Sequence, residues 1–142
     1  MPREEVEHAV VQMKMSTSVT EQSSYRDNLL LHDQLLATMA EGNAFAGLTE
    51  GKITFLPTFK FDKDTDDYDT SHKQRIPAWT DRVVFKPDGT RVLEYASVPE
   101  SMHSDHRPVY ASFRVSTVGR EIAAAPSKKR SRKPNRSTFT TR

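Results

Sequence analysis

The 142-residue chain concentrates its chemically capable side chains between positions 60 and 106. Lys60, Lys73 and Arg75 flank and enter the loop FDKDTDDYDTSHKQR. Three cations around one loop suit a multiply charged anion, because each Lys offers a point charge and Arg adds a planar bidentate fork. The same cations also suit a plain balance against Asp62, Asp64, Asp66, Asp67 and Asp69 in a solvated loop. Asp81 closes Arg75-Ile-Pro-Ala-Trp-Thr-Asp at the entry of an expected strand, where a scaffold would aim its carboxylate. Pro77 and Trp79 would stiffen and bury the approach. A second acid lies beside an imidazole in Ser104-Asp105-His106-Arg107-Pro108, again just before a strand. If the two clusters converge, Asp81 accepts a hydrogen bond from one nitrogen of His106 and the other nitrogen faces a phosphoryl oxygen. Asp105 then ligates Mg²⁺ or positions water. An Asp beside a His is also a common surface hydrogen bond, so spacing leaves both readings open.

Other metal chemistry fits poorly. The chain has no cysteine, which excludes thiolate zinc sites, disulfides and cysteine nucleophiles. The acidic run resembles a calcium loop only superficially: with Asp62 in the first position, Asp67 stands where the loop needs Gly and Lys73 where it needs a bidentate Glu. His8, His32, His72 and His103 lack a partner pattern.

The elements that must position these groups are a helical first third and a strand-and-loop remainder. Val6, Ala9, Val10 and Met13 recur at helical spacing, and the polar stretch Ser16 to Ser24 reads as a connector. Ser24 and Asp27 have capping-box spacing, so one helix is expected from there through Leu29, Leu30, Leu31, Leu35, Leu36 and Met39 to a stop at Gly42. Ile53 to Leu56, Val83 to Phe85, Arg91 to Val98 and Val109 to Val115 read as strands. The class is α/β.

Hydrophobic residues make up 35% and charged residues 28%, a globular but polar composition with no stretch apolar enough to span a bilayer. Residues 120–142 carry eight Lys or Arg against one Glu, a net of +7, which leaves −5 for residues 1–119. This tail is almost free of large apolar side chains and is expected to be disordered. Its KKRSRK run reads as a solvated tail, a nuclear address, an anionic-lipid patch or a nucleic-acid patch. The expected organisation is an N-terminal helix and connector over 1–24, a catalytic-domain portion over 25–118 and the basic tail over 119–142. A cytoplasmic chain is expected, with peripheral contact to anionic membrane and a nuclear location as further readings.

PTFKF at 57–61, YDTSHKQRIPAWTDRV at 68–83 and SDHRPV at 104–109 occur in order and together resemble the inositol polyphosphate 5-phosphatase family. The similarity extends back through LLLHDQLLATMAEGNAFAGLTEGKITF and covers roughly residues 25–115. It implies the C-terminal half of a deoxyribonuclease-I-like α/β sandwich and a Mg²⁺-dependent phosphomonoesterase. The substrate would be the 5-phosphate of phosphoinositides or soluble inositol phosphates. By that resemblance His106 stabilises the phosphoryl transition state, Asp81 orients it and Asp105 contributes to the metal and water network. Lys60, Lys73 and Arg75 would hold the neighbouring 4-phosphate, while Pro77, Trp79 and Arg82 would be structural.

Two departures stand out. Phe59 occupies the place of the family's usual Tyr, and the family's Trp-x-Gly-Asp-x-Asn motif and upstream metal-binding Glu have no counterpart. The chain is therefore expected to be a partial domain, whether a fragment, a partial gene product or one piece of a split enzyme. Its missing half, or another chain, would be a partner. An inactive phosphoinositide-binding fragment and a metal-dependent nuclease relative are the alternatives, and the phosphatase signature disfavours nucleic acid as a partner.

Overall fold

Val6, Ala9, Val10 and Met13 are the buried residues of the first helix, α1, Arg3–Met15, in the computed structural model, which describes residues 1–116. The expectation for the basic tail over 119–142 lies outside the described residues. Glu4 and Glu5 in the first turn of α1 and Lys14 in the last complement the helix dipole.

The second helix corrects the sequence reading. Ser18, not Ser24, is the N-cap: its side chain accepts from Glu21 N at 3.4 Å, and α2 spans Val19–Leu30. From Val19 on, the polar stretch expected as a connector is helical, and within α2 only Arg26 and Leu29 are buried. Nor does the helix continue to Gly42. A turn closes through His32 N and Asp33 N, which donate to Leu29 O and Leu30 O, and leaves Leu31 81% exposed. The three consecutive leucines cannot all face inward. Asp33 then caps a separate α3, Gln34–Ala40, by accepting from Leu36 N at 2.9 Å. The stop is where expected, at Gly42 with φ +73°.

Ile53 to Leu56 forms no strand, although Ile53 is buried. Burial without ladder pairing produced that apolar run. The pairing lies earlier: β1, Thr49–Glu50, runs antiparallel to β2, Val84–Phe85, with Thr49 opposite Phe85 and Glu50 opposite Val84. β3, Thr90–Ser97, and β4, Val109–Val115, form the second antiparallel pair, from Thr90 opposite Val115 to Ser97 opposite Val109, with an irregularity between Val92 and Glu94.

One core joins these parts. The inner face of α1 packs with Leu29, Ile53, Trp79 and Tyr95. Each large apolar side chain buried there contributes about 1.5–3 kcal/mol. Gly51 passes so close to Tyr95 that an added Cβ would lie 2.9 Å from Tyr95 Cδ1. Between the strand pairs, three irregular segments are sewn together by their backbones. Thr58 N and Phe59 N donate to Ala78 O, Ala78 N to Phe59 O, Phe61 N to Asp105 O and Arg107 N to Thr58 O, over 2.7–3.1 Å. That seam brings distant parts of the sequence to one place.

Candidate active site

The seam places residue 59 against both 78 and 106, so the two clusters separated in sequence meet. His106 Nδ1 lies 2.7 Å from Asp81 Oδ2, with both side chains partly exposed. A carboxylate on Nδ1 fixes ring orientation and leaves Nε2 as the nitrogen available to a ligand. Thr80 Oγ1 sits 3.1 Å from Asp81 Oδ2 and 3.4 Å from His106 Nδ1, a third group holding the pair. The Phe59 ring lies against the imidazole at 4.7 Å between centroids.

Asp105 turns to a different partner. Its Oδ2 accepts from Lys60 Nζ at 3.0 Å, and this bond, above the Coulomb attraction of the same ammonium, holds the Asp105 carboxyl below the usual range. Lys60 therefore carries a charge already half-committed to Asp105.

Lys73 and Arg75 stand apart from the acidic run. Their side chains are exposed and make no hydrogen bond or ion pair among the described residues, while Asp64 pairs with His103 and Asp66 with Lys14 and Arg107. What fixes Lys73 and Arg75 is their backbone, through Asp69. This carboxylate is fully buried and accepts from Ser71 N at 3.1 Å and Arg75 N at 2.8 Å, while Asp69 N donates to Lys60 O at 2.9 Å. The Lys73 N donates to Ser71 Oγ. One residue thus ties the Lys60 segment, through its backbone, to the loop carrying the other two cations, through its side chain. Hydrogen bonds from Ser71 and then from Arg75 push the Asp69 carboxyl down to about 2. Sequence reading treated Asp69 as one of five loop acids; the available signal was Asp-x-Ser, the spacing of a turn in which Asp accepts from the backbone two residues on.

Pro77 and Trp79 are buried behind the pair, and Trp79 Nε1 donates to Phe55 O at 3.1 Å. Arg82 points away from His106 into a buried network. It donates to Asp33 Oδ2 at 2.7 Å and to both oxygens of Glu50 at 2.7 and 2.5 Å, and Tyr95 OH donates to Glu50 Oε1. The partners Asp33, Glu50 and Tyr95 carried no functional motif and were not singled out in the sequence. Among the described residues no group of three or more His, Cys, Asp or Glu is placed to hold a metal ion, and no helix is long and apolar enough to cross a membrane.

The site is thus an imidazole–carboxylate pair next to the Lys60–Asp105 pair, on irregular segments of a mixed helix and strand fold. Residues 6–112 match the sequence profile described as Endonuclease/Exonuclease/phosphatase family 2, and the chain belongs to that family. It is similar to the polyphosphatidylinositol phosphatase INP53 of Saccharomyces cerevisiae, 43% identical over 96 residues, covering 68% of this chain and 9% of the relative. It is also similar to the phosphatidylinositol polyphosphate 5-phosphatase type IV of Rattus norvegicus, 48% identical over 61% of this chain and 14% of that protein. The fold matches a solved inositol polyphosphate 5-phosphatase domain of SpSynaptojanin, in complex with inositol (1,4)-bisphosphate and calcium ion. That match has a TM-score of 0.68 and 41% identity, over 80% of this chain and 30% of that one. A Cimex nitrophorin solved as a ferrous NO complex also matches, with a TM-score of 0.65 and 33% identity over 81% of this chain and 37% of that one. The chain spans less than a sixth of the curated relatives named and about a third of the solved structures.

Proposed function

We propose that this chain carries the imidazole and anion-clamp portion of a phosphoinositide or inositol phosphate 5-phosphatase, a phosphoric monoester hydrolase. The observation that carries the reading is the His106–Asp81 pair at 2.7 Å beside the Lys60–Asp105 pair at 3.0 Å. A fold shared with a nitric-oxide complex does not choose the chemistry, so the site must. In the hydrolysis, a water oxygen bonds to phosphorus, the ester P–O bond breaks, and its electron pair leaves on the alcohol oxygen, which takes up a proton. His106, oriented by Asp81, contacts the transferring phosphoryl group, where charge develops in the transition state. Lys73 and Arg75, whose side chains have no partner among the described residues, hold an adjacent phosphate, and Lys60 joins them through a further ammonium N–H while it keeps its bond to Asp105.

Mg²⁺ is the cation we assign. Asp105 offers one hard oxygen donor kept ionised by Lys60, and Mg²⁺ commonly takes one or two carboxylates together with substrate phosphate oxygens. The cation would neutralise phosphoryl charge, and no role given above to His106, Asp81 or the three cations depends on it.

The test is Mg²⁺-dependent phosphate release from phosphatidylinositol 4,5-bisphosphate, with His106→Ala in parallel. Release that disappears in the variant is expected. Folded chain that binds the headgroup without releasing phosphate would overturn the hydrolase reading in favour of a binding module.

A further inference from the structure

A second cluster of cations lies on the reverse side of the reacting segments. Successive side chains of an extended segment point to opposite sides. Phe59 meets His106, whereas the neighbours Thr58 and Arg107 line a cavity of about 270 Å³, together with Lys14, Arg26 and Asp66. Arg26 and Arg107 are 7% and 2% exposed.

The charge in this cavity is unbalanced. Arg26 makes no ion pair with any described residue, and its guanidinium reaches only Thr54 O at 3.3 Å and Ser23 Oγ at 2.8 Å. Arg107 stacks on Phe61 at 3.8 Å, donates to the carbonyls of Ser104 and Thr65, and lies 3.7 Å from Asp66, an exposed carboxylate shared with Lys14. Three cations against one carboxylate leave a formal +2. Among the described residues Arg26 Nε, Arg107 Nε and Thr58 Oγ1 are all buried without a hydrogen-bond partner. A buried cation without a counter-charge, next to unmet donors, is costly unless something anionic compensates it.

We propose that this cavity is a second anion site, separate from the His106 site, which takes a phosphate-sized tetrahedral oxyanion. Such an ion carries close to two negative charges near neutral pH, matching the excess, and only acceptors, matching a lining rich in donors.

The test titrates the 142-residue chain with inorganic phosphate against chloride at matched ionic strength. Calorimetry and urea unfolding provide the readouts, in a Lys60→Ala/Lys73→Ala/Arg75→Ala background that removes the first clamp. One saturable phosphate site is expected to remain. At ten times its Kd it should raise the folding equilibrium constant about 11-fold. Adding Arg26→Gln should weaken it roughly tenfold or more, the loss of a charge-assisted hydrogen bond. Arg91→Gln, an exposed cation elsewhere, should leave it unchanged. If Arg26→Gln does not fold, Thr58→Val gives the same readout through the buried hydroxyl. A folded triple variant that binds no phosphate would overturn the proposal, as would equal weakening by Arg26→Gln and Arg91→Gln.

Discussion

Replacing Arg82 with Met keeps most of the side-chain volume while deleting the charge that neutralises two carboxylates. In the structure Arg82, Asp33 and Glu50 have side-chain exposures of 7%, 11% and 4%, so solvent cannot screen what is left behind. Breaking a buried pair by removing one partner costs about 3–5 kcal/mol, against a typical total of about 5–15 kcal/mol. With a urea slope of about 2 kcal/mol/M, the unfolding midpoint should fall by about 1.5–2.5 M. Trp79, the single tryptophan, is buried in the same core and supplies the fluorescence signal. The cause is testable apart from the size. If the loss comes from stranded charge, Arg82→Met with Glu50→Gln should be more stable than Arg82→Met alone, by about 1 kcal/mol or more. A single-variant loss below about 1 kcal/mol, as for an exposed pair, would refute the reasoning, and so would additive losses in the double variant. Asp81 directly precedes this anchor, so the proposed headgroup hydrolysis should fall with the fold.

Phe59→Tyr should raise the preference for 4,5-bisphosphate over 5-monophosphate substrates by about 10- to 100-fold, the worth of one hydrogen bond to a charged group; unchanged relative kcat/KM would contradict it. Asp69 has a folded pKa pushed below its unfolded value. Its stabilisation is therefore complete above pH about 4 and lost as pH falls through about 2, so Asp69→Asn should flatten the acid limb of an unfolding profile. Tyr95 behaves in the opposite sense. Burial, then its bond to Glu50, pushes the phenol up to about 12. Its contribution is complete below pH about 10 and lost as pH rises through about 12, and Tyr95→Phe should remove that part of the alkaline loss.

The long antiparallel pair and the inner face of α1 were legible because each rests on a simple period. Val109, Ala111, Phe113 and Val115 alternate in sequence and lie in β4; Val6, Ala9, Val10 and Met13 recur at helical spacing and are buried in α1. The helix boundaries were not. Ser24 and Ser18 each have a plausible capping sequence, and only the packing of Arg26 and Leu29 inward decides between them. Around the site, Asp81 and His106 were nameable from the sequence, but their pairing depends on the backbone seam among residues 57–61, 78 and 105–107, which has no local signature. The roles of Glu50 and Asp33 were illegible for the same reason: their meaning comes from Arg82, 32 and 49 residues away.

The polar groups around the seam differ in whether the protein meets them. Arg82, Trp79 and Asp69 spend theirs on the protein itself, on backbone or buried partners. Among the described residues the Lys73 and Arg75 side chains have no partner, Lys60 bonds Asp105, and His106 Nε2 is left available by the Asp81 bond. Unspent charge on a fixed backbone favours a ligand that carries several negative oxygens, because the reorganisation of the protein on binding is small. Clamp affinity and turnover then have separate physical sources. On the proposed reading the cations would govern the first, whereas the second would depend on His106 and its orienting carboxylate, with Asp105 as a donor to the assigned cation. Removing Lys73 should therefore weaken headgroup binding with the His106–Asp81 pair intact, and Asp81→Asn should lower turnover while leaving headgroup binding unchanged, as measured by kcat against calorimetric Kd.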